Sequence, residues 1–189
     1  TVIRMILVPV FLVVLFIAPH DPWTRLGAAL TFVVAVLTDL FDGKIARKYN
    51  VVTDFGKLWD PIADKAITGA AFISLSILGE LWWWVTILIL IREWGITYMR
   101  FRMKKYKVMA AAKGGKWKTM LQCIALSIML LYPLGFAQLI DNQAWYTCWL
   151  VLDYVGLAVM AAALVLTLIT GVMYVRDAMR IKQEASRDL

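Results

Sequence analysis

Six long apolar runs divide this chain, and they bound what it can become. They cover about Met5–Ala18, Leu26–Leu40, Leu58–Leu78, Trp82–Met99, Met120–Phe136 and Cys148–Tyr174. The chain is 62% hydrophobic with a mean hydropathy of +0.73, against roughly 45–50% apolar residues in soluble domains. Continuous runs predict bilayer-crossing helices, whereas an outer-membrane barrel would alternate over segments of about ten residues. The expected fold is an all-α integral membrane protein with six transmembrane helices. One domain spans 1–175, and a charged cytoplasmic tail covers 176–189. Pro133 is expected to kink the fifth run. A polar connection holding Gly43, Lys44, Arg47, Lys48, Asn50 and Asp54 is expected between the second and third. No internal repeat or second domain is visible.

The net charge of +7 has a topological source and calls for no nucleic-acid partner. If the runs alternate in direction, 18 of the 20 Lys and Arg residues fall on one side. Lys65 lies inside a run, and only Arg25 is left for the other side. Basic residues concentrate in cytoplasmic loops, so both termini are expected in the cytoplasm of a multi-pass protein of the inner (cell) membrane. Trp82–Trp84 and Trp145–Trp149 then mark the opposite interface. The chain begins at Thr1 rather than Met, so a few native residues are expected upstream, with the first run acting as the targeting element. Cys123 and Cys148 have no metal-ligand spacing and read as reduced packing residues. His20, in Pro19-His20-Asp21-Pro22, reads as a loop residue.

Against this apolar background, four acids crowd together: Asp39, Asp42, Asp60 and Asp64. On helices, Asp39 and Asp42 would share one face, and so would Asp60 and Asp64. Each acid at membrane depth costs about 2.5–3.5 kcal/mol even on a lenient scale, so something must neutralise the set. Carboxylates without nearby His or Cys suit hard ions such as Mg²⁺ or Mn²⁺ and argue against zinc. Four acids suit one or two ions, and a metal pair can clamp the entering and leaving oxygens of a phosphoryl displacement. Gly43 and Gly56 would allow close backbone approach of a bulky ligand, and Arg47 beside Ala46 supplies a phosphate-binding cation. Two other accounts compete. The acids could pair structurally with Lys44, Arg47, Lys57 and Lys65, or they could line the path of a divalent-cation-coupled transporter. Transporter sites usually sit at the midplane between repeated halves, which this chain lacks.

The spacing Asp39-xx-Asp42-Gly43-xx-Ala46-Arg47-x8-Gly56-xxx-Asp60-xxx-Asp64 resembles, at every fixed position, the signature of the CDP-alcohol phosphotransferase family. The six-run layout is similar as well. The resemblance implies transfer of a phosphatidyl group from CDP-diacylglycerol to an alcohol, with release of CMP. It implies two divalent ions, Mg²⁺ or Mn²⁺, on the four aspartates, with Asp64 also the general base. It places Asp39, Asp42, Gly43, Ala46, Arg47 and Gly56 around the CDP moiety, and it implies a homodimer among membrane lipids. Chemically this is coherent: an alcohol needs a positioned base at neutral pH, and charge building on the departing CMP needs an offset.

The acceptor is approached through a second motif. Lys113-Gly114-Gly115-Lys116-Trp117-Lys118-Thr119 resembles the branch of that family whose acceptor is sn-glycerol 3-phosphate. A phosphorylated acceptor needs a cationic pocket, expected from Arg92, Lys113, Lys116, Lys118 and Thr119. Inositol phosphate and phosphatidylglycerol are the competing acceptors. Arg100, Arg102, Lys104, Lys105 and Lys107 read as an ordinary topology signal. Thr1-xx-Arg4 resembles the end of an N-terminal family pattern, in which Arg4 either binds phosphate or anchors the first run.

Overall fold

A computed structural model describes residues 2–49, 54–103, 114–139 and 142–187. Side chains are described for 5–38, 65–99, 101–102, 115, 117–139, 142–181 and 183. All regular structure among these residues is helical: α1 (Val2–Ile17), α2 (Pro22–Tyr49), α3 (Asp54–Ile77), α4 (Trp83–Met103), α5 (Gly114–Leu130), α6 (Pro133–Gln138) and α7 (Gln143–Arg187). α1 packs on α2 and α3, and α5 packs on α2, α3 and α7; α4 bridges α3 and α7. Phe11, Leu15, Phe32, Phe72, Leu75, Ile89, Leu126 and Leu130 interlock at the centre, all but closed to solvent.

The outside is apolar too. Ile6, Val13, Leu30, Ile91, Val165 and Ile169 are exposed around the perimeter, a distribution that suits lipid and would be costly in water. Among the described residues, the segments Trp117–Gln138 and Gln143–Ile181 are each long and apolar enough to cross a membrane, while Met5–Ile17, Pro22–Thr38 and Lys65–Ile77 are shorter apolar helices. Hydroxyl and amide groups tie these helices internally. Gln122 Nε2 donates to Thr167 Oγ1 at 2.9 Å, and the Ser76 and Thr86 hydroxyls lie 2.7 Å apart.

Local chemistry sets the helix ends. Asp21 caps α2, accepting from the Thr24 amide and hydroxyl, each at 2.7 Å. Pro22 then opens the helix, where no amide hydrogen is needed. The Thr24 hydroxyl, then its amide, hold the Asp21 carboxyl below the usual carboxylate range. At the end of α3, Gly79 adopts φ 76°. Its amide bonds Ser76 O at 3.2 Å and the Glu80 amide bonds Leu75 O at 2.9 Å, a Schellman stop that aims Glu80 back across the bundle.

Three expectations change. The Pro133 kink is a full break: α5 stops at Leu130 and α6 starts at Pro133, with Tyr132 left-handed between them at φ 54°. Pro133 has no amide hydrogen to offer the preceding turn. Arg25 Nε donates to Leu130 O at 3.2 Å, and its Nη2, also at 3.2 Å, joins the Tyr132 amide on Met129 O. Arg25 also lies 5.1 Å from the centroid of the Tyr132 ring. Gly135 makes room for that ring, because a Cβ there would fall 2.1 Å from Tyr132 Cδ1. Second, the polar connection after the second run is shorter than expected. α2 continues through Gly43 to Tyr49, since Lys44, Ala46, Arg47 and Lys48 are good helix formers and one glycine costs only about 1 kcal/mol. Third, α7 is longer than the sixth run and carries the charged segment after 175 as helix through Arg187.

Candidate active site

Helical register organises the aspartates. Asp39 and Asp42 lie one turn apart near the end of α2, and Asp60 and Asp64 lie one turn apart near the start of α3. Counted along each axis at 1.5 Å per residue, Asp42 is about 10 Å from the α2 terminus and Asp60 about 9 Å from the α3 terminus. Asp39 and Asp64 are each about 15 Å from those same termini. Along their own helices, the two pairs therefore lie nearly equally many residues from the ends that flank 50–53. A donor set of carboxylates alone fits hard divalent cations. The side chains of Asp39, Asp42, Gly43, Ala46, Arg47, Gly56, Asp60 and Asp64 lie outside the described residues, as do those of Arg4 and Lys116, and Lys113 lies outside entirely.

Beside the α3 end of this register sits a described polar cluster. Lys65 follows Asp64 directly; its Nζ donates to Glu93 O at 2.5 Å and to the Thr97 hydroxyl. Arg92 Nη1 donates to Glu93 Oε1 at 3.0 Å, and Arg92 Nη2 donates to Thr170 Oγ1 at 2.7 Å. Lys118, from α5, closes on the same Glu93 Oε1. The Arg92 guanidinium lies 5.8 Å from the Tyr174 ring centroid, and Gly171 sits against its stem, where a Cβ would be 3.2 Å from Arg92 Cγ. Among the described residues, helices α3, α4, α5 and α7 thus meet around Lys65, Arg92, Lys118 and the Glu93 carboxylate. Guanidinium and ammonium groups in such a cluster are suited to carboxylate or phosphate oxygens.

Of the expected acceptor residues, the structure brings Arg92 and Lys118 together through Glu93. Thr119 points elsewhere: it is exposed, and its hydroxyl donates to Gly115 O at 3.1 Å. Arg102 is exposed and engages Tyr98. Glu93, Thr170 and Tyr174 belong to the cluster without having been expected there. A signal for the last two existed, since Thr167, Thr170, Gly171 and Tyr174 recur at helical spacing on the otherwise apolar part of α7 between Asp153 and Arg176.

Comparison with known proteins decides the family. The CDP-alcohol phosphatidyltransferase profile matches residues 1–169. The chain belongs to this family. It is an enzyme of the phosphatidyltransferase class and a membrane protein. It is 44% identical over 191 residues to a probable phosphatidylglycerophosphate synthase of Mycobacterium tuberculosis, covering 98% of this chain and 84% of that protein. It is 39% identical over 175 residues to the CDP-diacylglycerol–glycerol-3-phosphate 3-phosphatidyltransferase of Rickettsia bellii, covering 92% and 90%. The Bacillus subtilis protein of the same name is 38% identical over 148 residues, covering 72% and 76%.

Proposed function

We propose that this enzyme transfers the phosphatidyl group of CDP-diacylglycerol to sn-glycerol 3-phosphate, yielding phosphatidylglycerophosphate and CMP. The observation that carries the choice of acceptor is the pair of cations, Arg92 and buried Lys118, converging on Glu93, whose carbonyl binds the Lys65 that follows Asp64. The printed names of the relatives agree with it. A phosphomonoester dianion offers Arg92 and Lys118 charge-assisted hydrogen bonds that a neutral alcohol does not.

In this reading Asp39, Asp42, Gly43, Ala46, Arg47 and Gly56 receive the CDP moiety. Arg92 and Lys118 grip the acceptor phosphate, with Lys113 and Lys116 flanking the approach. Asp64 takes the proton from the attacking hydroxyl. Because Lys65 binds the Glu93 carbonyl, the turn carrying Asp64 is tied to the turn carrying Arg92, which holds base and phosphate grip at a constant spacing. Asp39, Asp42, Asp60 and Asp64 would hold two Mg²⁺ or Mn²⁺ ions. Bound there, the ions supply Lewis acidity at the phosphoryl group and offset charge on the departing CMP. Six membrane crossings with both termini and the acidic helix ends on the cytoplasmic side of the inner membrane, in a homodimer, complete the proposal. With the family established, no observation favours the cation-transporter reading.

The test incubates purified protein with CDP-diacylglycerol, Mn²⁺ and a panel of alcohols while CMP is measured. Release that depends on glycerol 3-phosphate is the expected result. Release with inositol phosphate or phosphatidylglycerol instead would overturn the acceptor choice.

A further inference from the structure

The carboxylate at the centre of the cation cluster is not needed to hold the cluster together. Arg92 is anchored independently, by Thr170 Oγ1 at 2.7 Å, by the Tyr174 ring and by the close fit of Gly171. Lys65 binds the main-chain oxygen of Glu93 and the Thr97 hydroxyl. The Glu93 side chain contributes one atom, Oε1, shared between Arg92 and Lys118. It is also more open than either cation it bridges: its side chain is 22% exposed, against 9% for Arg92 and 5% for Lys118. The carboxylate is therefore the more solvent-accessible partner in its contacts with the two cations. Consecutive helical residues do not face one another, so Glu93 must wrap back to reach Arg92, and a rotation about its side chain releases it.

We propose that Glu93 is a displaceable internal anion, occupying the space between Arg92 and Lys118 until a phosphate dianion takes both cations and turns the carboxylate outward. This deepens, and rests on, the reading of Arg92 and Lys118 as the acceptor-phosphate grip. At rest the Glu93 carboxylate engages both cations, and a monoanion such as chloride is a poor competitor for a site already held by a carboxylate. A dianion brings two charges and several acceptor oxygens to the same cations and displaces it.

The experiment measures thermal protection of the purified full-length protein in detergent by inorganic phosphate and, separately, by glycerol 3-phosphate, at constant ionic strength. Glu93→Gln keeps the shape and removes the charge. Glu93→Asp keeps the charge and shortens the reach. Both variants are expected to reach half-maximal protection at phosphate concentrations about tenfold below wild type, a typical change for one charged contact, and to show turnover more sensitive to inorganic phosphate. Protection by glycerol 3-phosphate alone would identify an esterified phosphate as the ligand, and protection by both the phosphate group itself; the gain in the variants is required either way. If Glu93→Gln can be isolated only in phosphate buffer and not in chloride, that result supports the proposal as well. Equal or weaker protection in both variants overturns it. Arg92→Gln and Lys118→Gln separate the two readings: if they leave protection unchanged, the acceptor grip itself is wrong and this inference falls with it. If they abolish protection while the Glu93 variants gain nothing, only this inference falls.

Discussion

The Arg25 guanidinium meets the Glu80 carboxylate at 2.5 Å, with the Arg25 side chain fully buried and that of Glu80 21% exposed. The same guanidinium holds the carbonyls of Met129 and Leu130, so the start of α2, the end of α3 and the end of α5 converge on one side chain. It also accounts for the one basic residue on the far side of the charge count, since this cation is not presented to solvent. Arg25→Met leaves a mostly buried carboxylate and the Leu130 carbonyl without the donor that Arg25 supplies, while Met129 O keeps the Tyr132 amide. A loss of roughly 3–5 kcal/mol is expected, as when one partner of a buried pair is removed, read as a lower thermal midpoint in detergent. Glu80→Gln keeps an acceptor for Arg25 and should cost less than half as much. Equal losses would mean that charge attraction, rather than the orphaned groups, carries the stability.

The same pair predicts a pH dependence. Burial pushes the Glu80 carboxyl above its ordinary value of 4.5, and Arg25 offsets this only in part. The folded protein therefore keeps this proton to higher pH than the unfolded chain does. The stability tied to it is fully present below the ordinary value and is lost as pH rises through the folded one. Measured from about pH 5 to about pH 8, the midpoint of wild type should fall relative to that of Glu80→Gln. A constant difference, or one of opposite slope, would place Glu80 in a less buried setting.

Much of this architecture is legible in the sequence because apolar run length and helix length are the same physical quantity in a bilayer. The Gly79 stop and the Asp21-Pro22 start could be read from residue type alone. The α5–α6 break could not: whether Pro133 bends or ends a helix depends on donors for the carbonyls at the end of α5, and one of these, Arg25, lies over a hundred residues away in sequence. The site divides in the same way. The aspartate register is visible because it is local spacing on two helices. The union of Arg92, Glu93, Lys118 and Thr170 depends on how four helices meet. Lys118 did carry a clue, since it shares a helical stripe with buried Gln122, Leu126 and Met129, which separates it from exposed Thr119.

The approach of Gly171 to Arg92 offers a graded test of the phosphate grip. A methyl group on Gly171 would sit 3.2 Å from Arg92 Cγ and 3.3 Å from its Nε, close enough to displace the guanidinium by a few tenths of an ångström without removing it. Gly171→Ala should raise the KM for glycerol 3-phosphate several-fold, while Lys118→Ala and Arg92→Ala should raise it about 10- to 100-fold, in line with roughly 1.5–3 kcal/mol per charged hydrogen bond. The KM for CDP-diacylglycerol should stay constant in all three. Steady-state kinetics with each substrate varied in turn provide the check, and a parallel rise for both substrates would point to a general loss of packing.

The assignment of Asp64 as base rests on its register in α3, one residue before the lysine that ties α3 to the acceptor cluster, and it separates binding from turnover. Asp64→Asn keeps the size and one oxygen acceptor but cannot take a proton, so CMP release should fall by about 10²–10⁴ while binding of CDP-diacylglycerol remains largely intact. Asp39→Asn, at the nucleotide end of the register, should weaken that binding as well. Equilibrium binding of CDP-diacylglycerol in the presence of Mn²⁺, set beside single-turnover CMP release, distinguishes the two. If Asp64→Asn loses nucleotide binding as severely as Asp39→Asn does, Asp64 is a ligand-holding residue only, and the proton must leave by another group.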